Sequence, residues 1–138
     1  MSYLFIALIF IIKVLTRKEI LVFEVNPKTI DFLKINIKLN DVLEIVNTNY
    51  LGIGLGDSDG EFTINEPSQK IGGTRLVPKA NKEIKTISNK SIVKVNSLDS
   101  LNLDIAPNFI KIDVEGMELL VLKGIHKTIH KYKPNIFV

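Results

Sequence analysis

Short apolar runs alternate with amphipathic stretches along most of this chain, and this alternation predicts an α/β fold. Ile20–Phe23 is a compact apolar run that predicts a buried strand. From Pro27 to about Leu39, apolar residues recur every three or four positions, which predicts a helix. Asn26 suits the N-cap of that helix, and its proline suits the first helical position. Strand–helix units of this kind predict a mostly parallel sheet with flanking helices.

The middle of the chain predicts further short strands separated by turns. These strands are Leu43–Val46, Glu61–Ile64 as the edge of a hairpin, and Ser91–Asn96. Gly56–Gly60 contains the Asp and Gly residues that favour a tight turn. Asn65–Lys90 is polar and predicts a long connection, and Leu98–Leu101 predicts a short helical turn.

A group of three carboxylates follows the most distinctive strand of the sequence. Phe109–Val114 predicts a buried strand that breaks near Gly116 and continues as a helix. Asp113, Glu115 and Glu118 therefore fall at the carboxyl end of the strand and in the first helical turn, where ligands bind in open α/β sheets. A helix-capping cluster is the alternative, because helix N-termini also favour negative charge.

Glu24 occupies the same kind of position, at the carboxyl end of the strand Ile20–Phe23. There an acidic side chain can accept hydrogen bonds from the two hydroxyl groups of a nucleoside ribose. Helix capping is again the alternative interpretation for this residue. The spacing of His126 and His130 would suit a metal pair, but a lysine-rich, solvated helix face explains it more simply, and no metal site is predicted.

The amino-terminal segment differs from the rest because Tyr3–Leu15 is almost entirely apolar. The run is shorter than the roughly 20 residues that span a bilayer as a helix, and it lacks the charge pattern of a secretory signal. Residues 1–19 are predicted to form a buried helix, with a membrane anchor as the alternative. Residues 20–138 are predicted to form the α/β domain.

Composition narrows the partners without naming a function. The chain has 138 residues, enough for one domain, and its net charge of +3 comes from scattered lysines rather than a dense basic block. Nucleic acid is therefore not an expected partner. With no cysteine, disulfides, thiolate metal sites and a cysteine nucleophile are excluded. The expected location is cytoplasmic, with membrane association through Tyr3–Leu15 as the alternative.

Several motifs together resemble one known family. The segment Lys111–Glu118 reads Lys-Ile-Asp-Val-Glu-Gly-Met-Glu and closely resembles the signature of the FkbM family of S-adenosylmethionine-dependent methyltransferases. Other matching segments occur in the family's order, and they are Val22–Pro27, Leu33–Asn40, Gly56–Gly60, Val95–Leu101 and Lys131–Pro134. Val25 stands where the family usually has a proline.

The resemblance implies a Rossmann-like methyltransferase fold and transfer of a methyl group from S-adenosyl-L-methionine, usually to a hydroxyl oxygen. By this analogy Glu24 would hold the cofactor ribose, and Asp113 would lie next to the sulfonium and the acceptor. Glu115 and Glu118 would shape or charge the same crevice. The resemblance implies a small-molecule or carbohydrate acceptor and requires no metal.

One feature departs from the family pattern, because no glycine precedes Glu24. The family's first strand and its glycine-containing cofactor loop would come before that residue. The expectation is therefore a partial methyltransferase domain, shortened at its amino end and also at its carboxyl end. A non-catalytic fragment with the same fold and a small membrane-associated protein are the two alternatives.

Overall fold

A computed structural model describes residues 9–13, 19–65, 75–78, 90–103 and 106–138. In chain order, the elements are β1 (Ile9–Lys13), β2 (Glu19–Phe23), α1 (Pro27–Leu39), β3 (Val46–Asn47), β4 (Ile53–Leu55), β5 (Gly60–Asn65), β6 (Arg75–Pro78), β7 (Lys90–Asn96), a 3₁₀ turn (Leu98–Leu101), β8 (Phe109–Lys111), α2 (Glu118–Gly124), α3 (His126–Tyr132) and β9 (Asn135–Phe137). The described strands form a five-stranded sheet in the order β3-β2-β1-β8-β9 and a four-stranded sheet in the order β4-β7-β5-β6.

Both sheets are mixed, although four of the five strands of the larger sheet run in one direction, as expected for a mostly parallel sheet. In the larger sheet, β2 is parallel to β3 and β8 is parallel to β9, whereas β1 is antiparallel to both of its neighbours. In the smaller sheet, β4 is parallel to β7, and β5 is antiparallel to β6 and β7. Parallel pairs need a long crossover such as the one that contains α1. Only residues 14–18 separate β1 from β2, so this pair is antiparallel.

The amino-terminal apolar run contributes a strand rather than the predicted helix over Ile9–Lys13. This strand lies at the centre of the larger sheet, between β2 and β8. A strand that is covered on both faces has a continuous apolar sequence, so periodicity alone cannot distinguish it from a buried helix. The rest of the proposed anchor, residues 1–8 and 14–18, lies outside the described residues. Within the described ranges, no helix combines the length and apolar character needed to cross a bilayer.

Helix α1 confirms its predicted boundaries and packs on one face of the larger sheet. The Asn26 side chain accepts a hydrogen bond from the Lys28 backbone N–H at 3.0 Å, and Pro27 opens the helix. Leu33 and Ile37 point inward and form a buried cluster with Val22 of β2. This cluster anchors the helix directly beyond the strand that ends next to Glu24.

The opposite face of the larger sheet is covered by the carboxyl-terminal helices and the 3₁₀ turn. Alternate residues of β2 and β8 point to this side and pack against α2 and α3 in one buried cluster, comprising Leu21, Phe23, Leu55, Leu98, Ile110, Ile112, Val121 and Ile125. The sheet is therefore the middle layer of three. The edge of the sheet at which β2 and β8 end, which we call the carboxyl edge, lies between the two helical layers.

Several strands differ in extent from their predicted bounds. Strand β3 begins at Val46, because Leu43–Ile45 form turns instead of the predicted strand. Strand β5 is internal to its sheet rather than an edge, since it pairs with both β6 and β7. Strand β8 ends at Lys111, so Asp113 lies in the loop that follows it.

Candidate functional site at the carboxyl edge of the larger sheet

Glu24 and Asp113 both follow strands of the larger sheet, and they lie at the same edge of it. Phe23, which precedes Glu24, is opposite Ile9 of β1, and Lys111 is opposite the next residue of β1, Phe10. Strands β2 and β8 are thus separated by one strand, which corresponds to about 10 Å at normal strand spacing. The structure therefore brings two of the predicted site residues to one rim, with the start of β1 between them.

The Glu24 carboxylate is buried and only half of it has hydrogen-bond partners. The residue is 5% exposed, and its Oε1 accepts hydrogen bonds from the backbone N–H groups of Val25 and Asn26, both at 2.8 Å. Its Oε2 is buried and has no partner in the described structure. Buried carboxylate oxygens are normally satisfied, so this oxygen is an acceptor available to a ligand.

Burial also controls the protonation of Glu24. Removal from water raises the pKa of its carboxyl group above the ordinary value of 4.5, because burial penalises the charged form. The two backbone hydrogen bonds, from Asn26 and Val25, act in the opposite direction and lower the pKa. A bound donor group facing Oε2 would further favour the ionised form.

The acidic loop after β8 is more open than the Glu24 pocket. Asp113 is 43% exposed at its side chain, and its Oδ2 forms an ion pair with Lys111 Nζ at 3.0 Å. Glu115 is exposed, whereas Glu118 is half-buried and its Oε1 accepts a hydrogen bond from the Gly116 backbone N–H at 3.2 Å. The Glu118 contact closes the turn that precedes α2, and it does not cap the helix itself.

The three carboxylates of this loop do not converge on a common point. Across the residues that the structure describes, no three Asp, Glu, His or Cys side chains are placed to hold a metal ion. His126 and His130 do share one exposed helix face, with ring centroids 4.4 Å apart. They lie on α3, and no third protein ligand joins them within the described ranges.

Two glycines beside the site were not singled out by the sequence motifs as site residues. Gly52 has φ +89° and Gly116 has φ +75°, and a Cβ at either position would meet nothing within 4 Å. The Gly52 N–H donates to the Glu24 backbone carbonyl at 2.7 Å, so this glycine fixes the strand end that carries the carboxylate. Gly116 ends the acidic loop with a backbone conformation that other residues adopt only at a cost. Positive φ is the reason for glycine here, and a single sequence does not reveal it.

Away from this edge, the Gly56–Gly60 turn makes structural hydrogen bonds. Asp59 in the Gly56–Gly60 turn accepts hydrogen bonds from the Ser97 N–H at 2.9 Å and the Ser100 hydroxyl at 2.6 Å. These bonds, the Ser100 bond first, lower the pKa of the Asp59 carboxyl group. The turn therefore holds the 3₁₀ turn in place, as expected for the tight turn that its sequence predicts.

Asp99 performs a second structural task that the sequence did not indicate. Its two carboxylate oxygens accept hydrogen bonds from the backbone N–H groups of Lys127 at 2.7 Å and Thr128 at 2.9 Å, and from the Thr128 hydroxyl at 2.7 Å. The residue at the N-cap of α3, Ile125, provides no side-chain bond. Asp99 thus caps α3 from a distant part of the chain.

Comparison with known proteins identifies the family of this α/β chain. The chain belongs to the methyltransferase FkbM domain family, which it matches over residues 3–138. It is 33% identical over 111 residues to the hexuronic acid methyltransferase AglP of Haloferax volcanii. Its fold resembles the crystal structure of the methyltransferase FkbM from Methylobacillus flagellatus KT, with a TM-score of 0.56 and 21% identity over 86% of this chain.

The chain corresponds to only part of each of these proteins. The aligned region is 80% of this chain and 42% of the Haloferax protein, and the structural match covers 24% of the Methylobacillus chain. Family membership establishes that this chain carries a methyltransferase FkbM domain sequence. The similarity in structure, at this level of identity, supports the fold alone.

Proposed function

We propose that this chain contributes the ribose-binding and acidic-loop portion of a Rossmann-like, S-adenosylmethionine-dependent methyltransferase that acts on an oxygen of a sugar. The strand order supports the Rossmann-like assignment. With β8 and β9 counted as fourth and fifth, the larger sheet follows the order 3-2-1-4-5 that is typical of doubly wound folds. The order reverses between β1 and β8, and ligands bind beside such a reversal.

The buried, unpartnered Oε2 of Glu24 is the observation that carries the proposal. A ribose presents two adjacent hydroxyl donors, and a carboxylate at the end of the second strand is suited to accept from them. In this chain Oε1 is already engaged by the backbone, so Oε2 is the oxygen offered to the ribose. The backbone bonds fix the carboxylate before binding, which reduces the entropy lost on association.

The residues at the carboxyl edge fit the ribose of the cofactor better than its methionine portion. Glu24 suits the ribose, and the open space at Gly52 and Gly116 allows close approach of a ligand to the backbone. No glycine precedes Glu24, so the chain has no match to the family's loop for the methionine portion. We assign no described residue to that portion.

Asp113 is the residue that we propose to orient the acceptor. S-adenosylmethionine would supply the methyl group from its sulfonium: the acceptor oxygen would bond to the methyl carbon as the carbon–sulfur bond breaks and S-adenosylhomocysteine leaves. The Asp113 carboxylate can accept the proton or a hydrogen bond from an acceptor hydroxyl, and its partly exposed ion pair with Lys111 is weak enough to yield to a ligand. Glu115 and Glu118 add negative charge beside it, although the bond of Glu118 to the Gly116 N–H favours a structural contribution.

A carbohydrate acceptor is supported by the similarity to a hexuronic acid methyltransferase. A hexuronic acid carries both hydroxyl and carboxylate oxygens, and we propose a hydroxyl as the acceptor. The product distinguishes them, since a methyl ester is cleaved by mild alkali and a methyl ether is not. An alkali-labile product would move the assignment to the carboxylate.

A non-catalytic role with the same fold is the second candidate, and the direction of β1 favours it. Because β1 is antiparallel to β2 and β8, it begins rather than ends at the proposed cofactor edge. The carboxyl end of β1, Lys13, therefore lies opposite Glu19 at the other edge of the sheet, away from Glu24. In this case the chain would bind neither the cofactor nor an acceptor without a further polypeptide.

Asp113→Asn separates the two candidates at the level of chemistry. Under the proposal, the variant keeps the wild-type thermal midpoint but transfers the methyl group from labelled S-adenosylmethionine to hexuronic acid acceptors at a rate lower by about a hundredfold. Lys111→Met is the matched control, because it removes the ion pair and leaves the carboxylate. Full transfer by Asp113→Asn would remove this residue from the mechanism, and no transfer by the wild-type chain would favour the non-catalytic candidate.

A further inference from the structure

Helix α1 has a second apolar face that points to solvent. Phe32, Ile35 and Leu39 are 41%, 54% and 76% exposed, although each is a large apolar side chain. They are spaced by three and four residues and so form one stripe along the helix. At about 100° per residue, this stripe lies about 130° around the helix from the buried residues, which include Leu33 and Ile37. Contiguous exposed apolar surface of this kind marks an interaction site.

Charged residues on the flank of the stripe make the surface self-complementary. Asp31 and Lys38 are seven residues apart, so they lie on the same side of the stripe, about 10 Å apart along the axis. When two copies of a helix pack antiparallel about a two-fold axis, residues on the same flank face each other. A two-fold axis midway between positions 31 and 38 places Asp31 of each copy opposite Lys38 of the other.

The same register also fits the apolar residues together. With the axis beside Ile35, the side chains along the contact alternate between copies at intervals of about 3 Å or less. Their order is Leu39 of the second copy, Phe32, Ile35 of the second copy, and then Ile35, Phe32 of the second copy and Leu39. This alternation is the interdigitation that helix pairs require.

We propose that the Phe32–Ile35–Leu39 stripe binds the same stripe of a second copy of this chain, in an antiparallel, two-fold symmetric helix pair. An interface of this type is isologous, as is usual for dimers. The pairing uses the outer face of α1. It therefore leaves the carboxyl edge with Glu24 and Asp113 open in both copies, and it is independent of the proposed methyl transfer.

Sedimentation equilibrium of the full 138-residue chain, over a wide range of concentrations, tests the dimer. We expect reversible dimerisation by the wild type. Ile35→Glu should weaken it by about thirtyfold or more, because a charge then lies on the two-fold axis. Leu39→Asn provides a second test of the stripe at its most exposed position, where folding is least affected. Circular dichroism checks that each variant is folded.

Charge reversal tests the antiparallel register. Asp31→Lys and Lys38→Glu alone should each weaken dimerisation by about tenfold, because two opposite-charge contacts become like-charge contacts. The double variant restores opposite charges and should recover the wild-type constant within a few fold. Lys123→Glu is the matched control, since it makes the same charge change at an exposed position of α2, outside the helix that carries the stripe.

Three outcomes would overturn the proposal. A wild-type chain that stays monomeric at the highest concentrations would show that a second copy does not cover the stripe. Association that survives Ile35→Glu and Leu39→Asn would place the contact elsewhere, for example at the exposed edge strand β9. A double charge variant no better than either single variant would exclude this register.

Discussion

The carboxyl edge of the larger sheet and the brace beside α3 are both rich in acidic residues, but the carboxylates of the two regions differ in their hydrogen bonding. We define the brace as the Gly56–Gly60 turn, the 3₁₀ turn and the start of α3. In the brace, Asp59 accepts two hydrogen bonds and Asp99 accepts three. At the carboxyl edge, the buried Glu24 has one oxygen without a partner.

The difference separates residues that hold the fold from residues placed for a ligand. A buried carboxylate oxygen without a donor destabilises the protein, so a protein keeps one only where something else is gained. Next to the brace, at the end of β7, Oδ1 of Asn96 is also buried without a partner, but it belongs to a neutral amide. The orphaned charge is at the edge where the family's cofactor is expected.

Of these variants, Gly124→Ala should lower stability most, because it would separate α2 from the Gly56–Gly60 turn of the brace. A Cβ at this position overlaps the Gly56 backbone carbonyl oxygen, so α2 would have to move away from the turn. We expect a loss of more than about 3 kcal/mol in unfolding free energy, measured by chemical denaturation. Gly60→Ala is the control, because its Cβ would make only ordinary contact, with Phe62 at 3.6 Å. Equal stability of the two variants would contradict the close packing.

Glu24→Gln should stabilise the ligand-free protein at neutral pH by about 1–3 kcal/mol, because it removes a buried charge and keeps an acceptor for the backbone. Since burial raises the pKa of Glu24 above 4.5, the folded state holds this proton more tightly than the unfolded state. Wild-type stability is therefore lost as the pH rises from 4.5 through the folded pKa, and the variant avoids that loss.

Thermal unfolding of the Glu24→Gln and wild-type proteins between pH 4 and pH 8 measures this difference. The advantage of the variant should be absent below the ordinary glutamate pKa and should grow as the pH increases. An advantage that is constant over this range would mean that ionisation of Glu24 is not its cause. A variant less stable than the wild type throughout would mean that Oε2 has a donor.

Asp99→Ala should lower the free energy of unfolding by about 1–2 kcal/mol, because α3 loses the side chain that, among the described residues, caps its amino terminus. Chemical denaturation again provides the measurement. Asp57→Ala is the control, since Asp57 is an exposed aspartate of the neighbouring turn whose side chain contacts the Ser58 hydroxyl at 3.2 Å. Equal stability of these two variants would remove the cap from the account.

Asp59→Ala should cause the smallest loss of stability, and this loss should be present at neutral pH and disappear in acid. Because hydrogen bonds from Ser100 and Ser97 lower the pKa of Asp59, its ionised form stabilises the folded state above the ordinary value of 3.8. That contribution is lost as the pH falls through the folded pKa. The wild type should therefore lose more stability than the variant in acid, as followed by thermal unfolding. Parallel curves would contradict this assignment.

The sequence predicted the parts of the fold that local chemistry determines. The cap at Asn26, the proline at the first position and the three-to-four spacing of apolar residues located α1 correctly. The Gly56–Gly60 turn and the strand ending at Asn96 were located by turn residues and alternation. The methyltransferase family was identified from motifs, because several short segments occurred in one order.

Other features depend on contacts between distant residues and were missed. The apolar run that contains β1 has the composition of either a buried helix or a covered strand, and only its pairing with β2 and β8 distinguishes them. The capping role of Asp99 requires α3 to lie against the 3₁₀ turn. The sequence predicted Glu24 and Asp113 as site residues separately. It could not show that, of these two, Glu24 alone keeps a buried oxygen without a partner, because this depends on packing.

Calorimetric titration of the wild-type and Glu24→Gln chains with S-adenosylhomocysteine tests the central proposal most directly. We expect saturable binding by the wild type and binding weaker by about tenfold or more in the variant, because an amide at Oε2 presents donor hydrogens to the ribose hydroxyls. Both proteins should be folded, since the variant is expected to be the more stable of the two. Equal affinity of both chains, or no binding by the folded wild type, would contradict the assignment of Glu24 to the cofactor ribose.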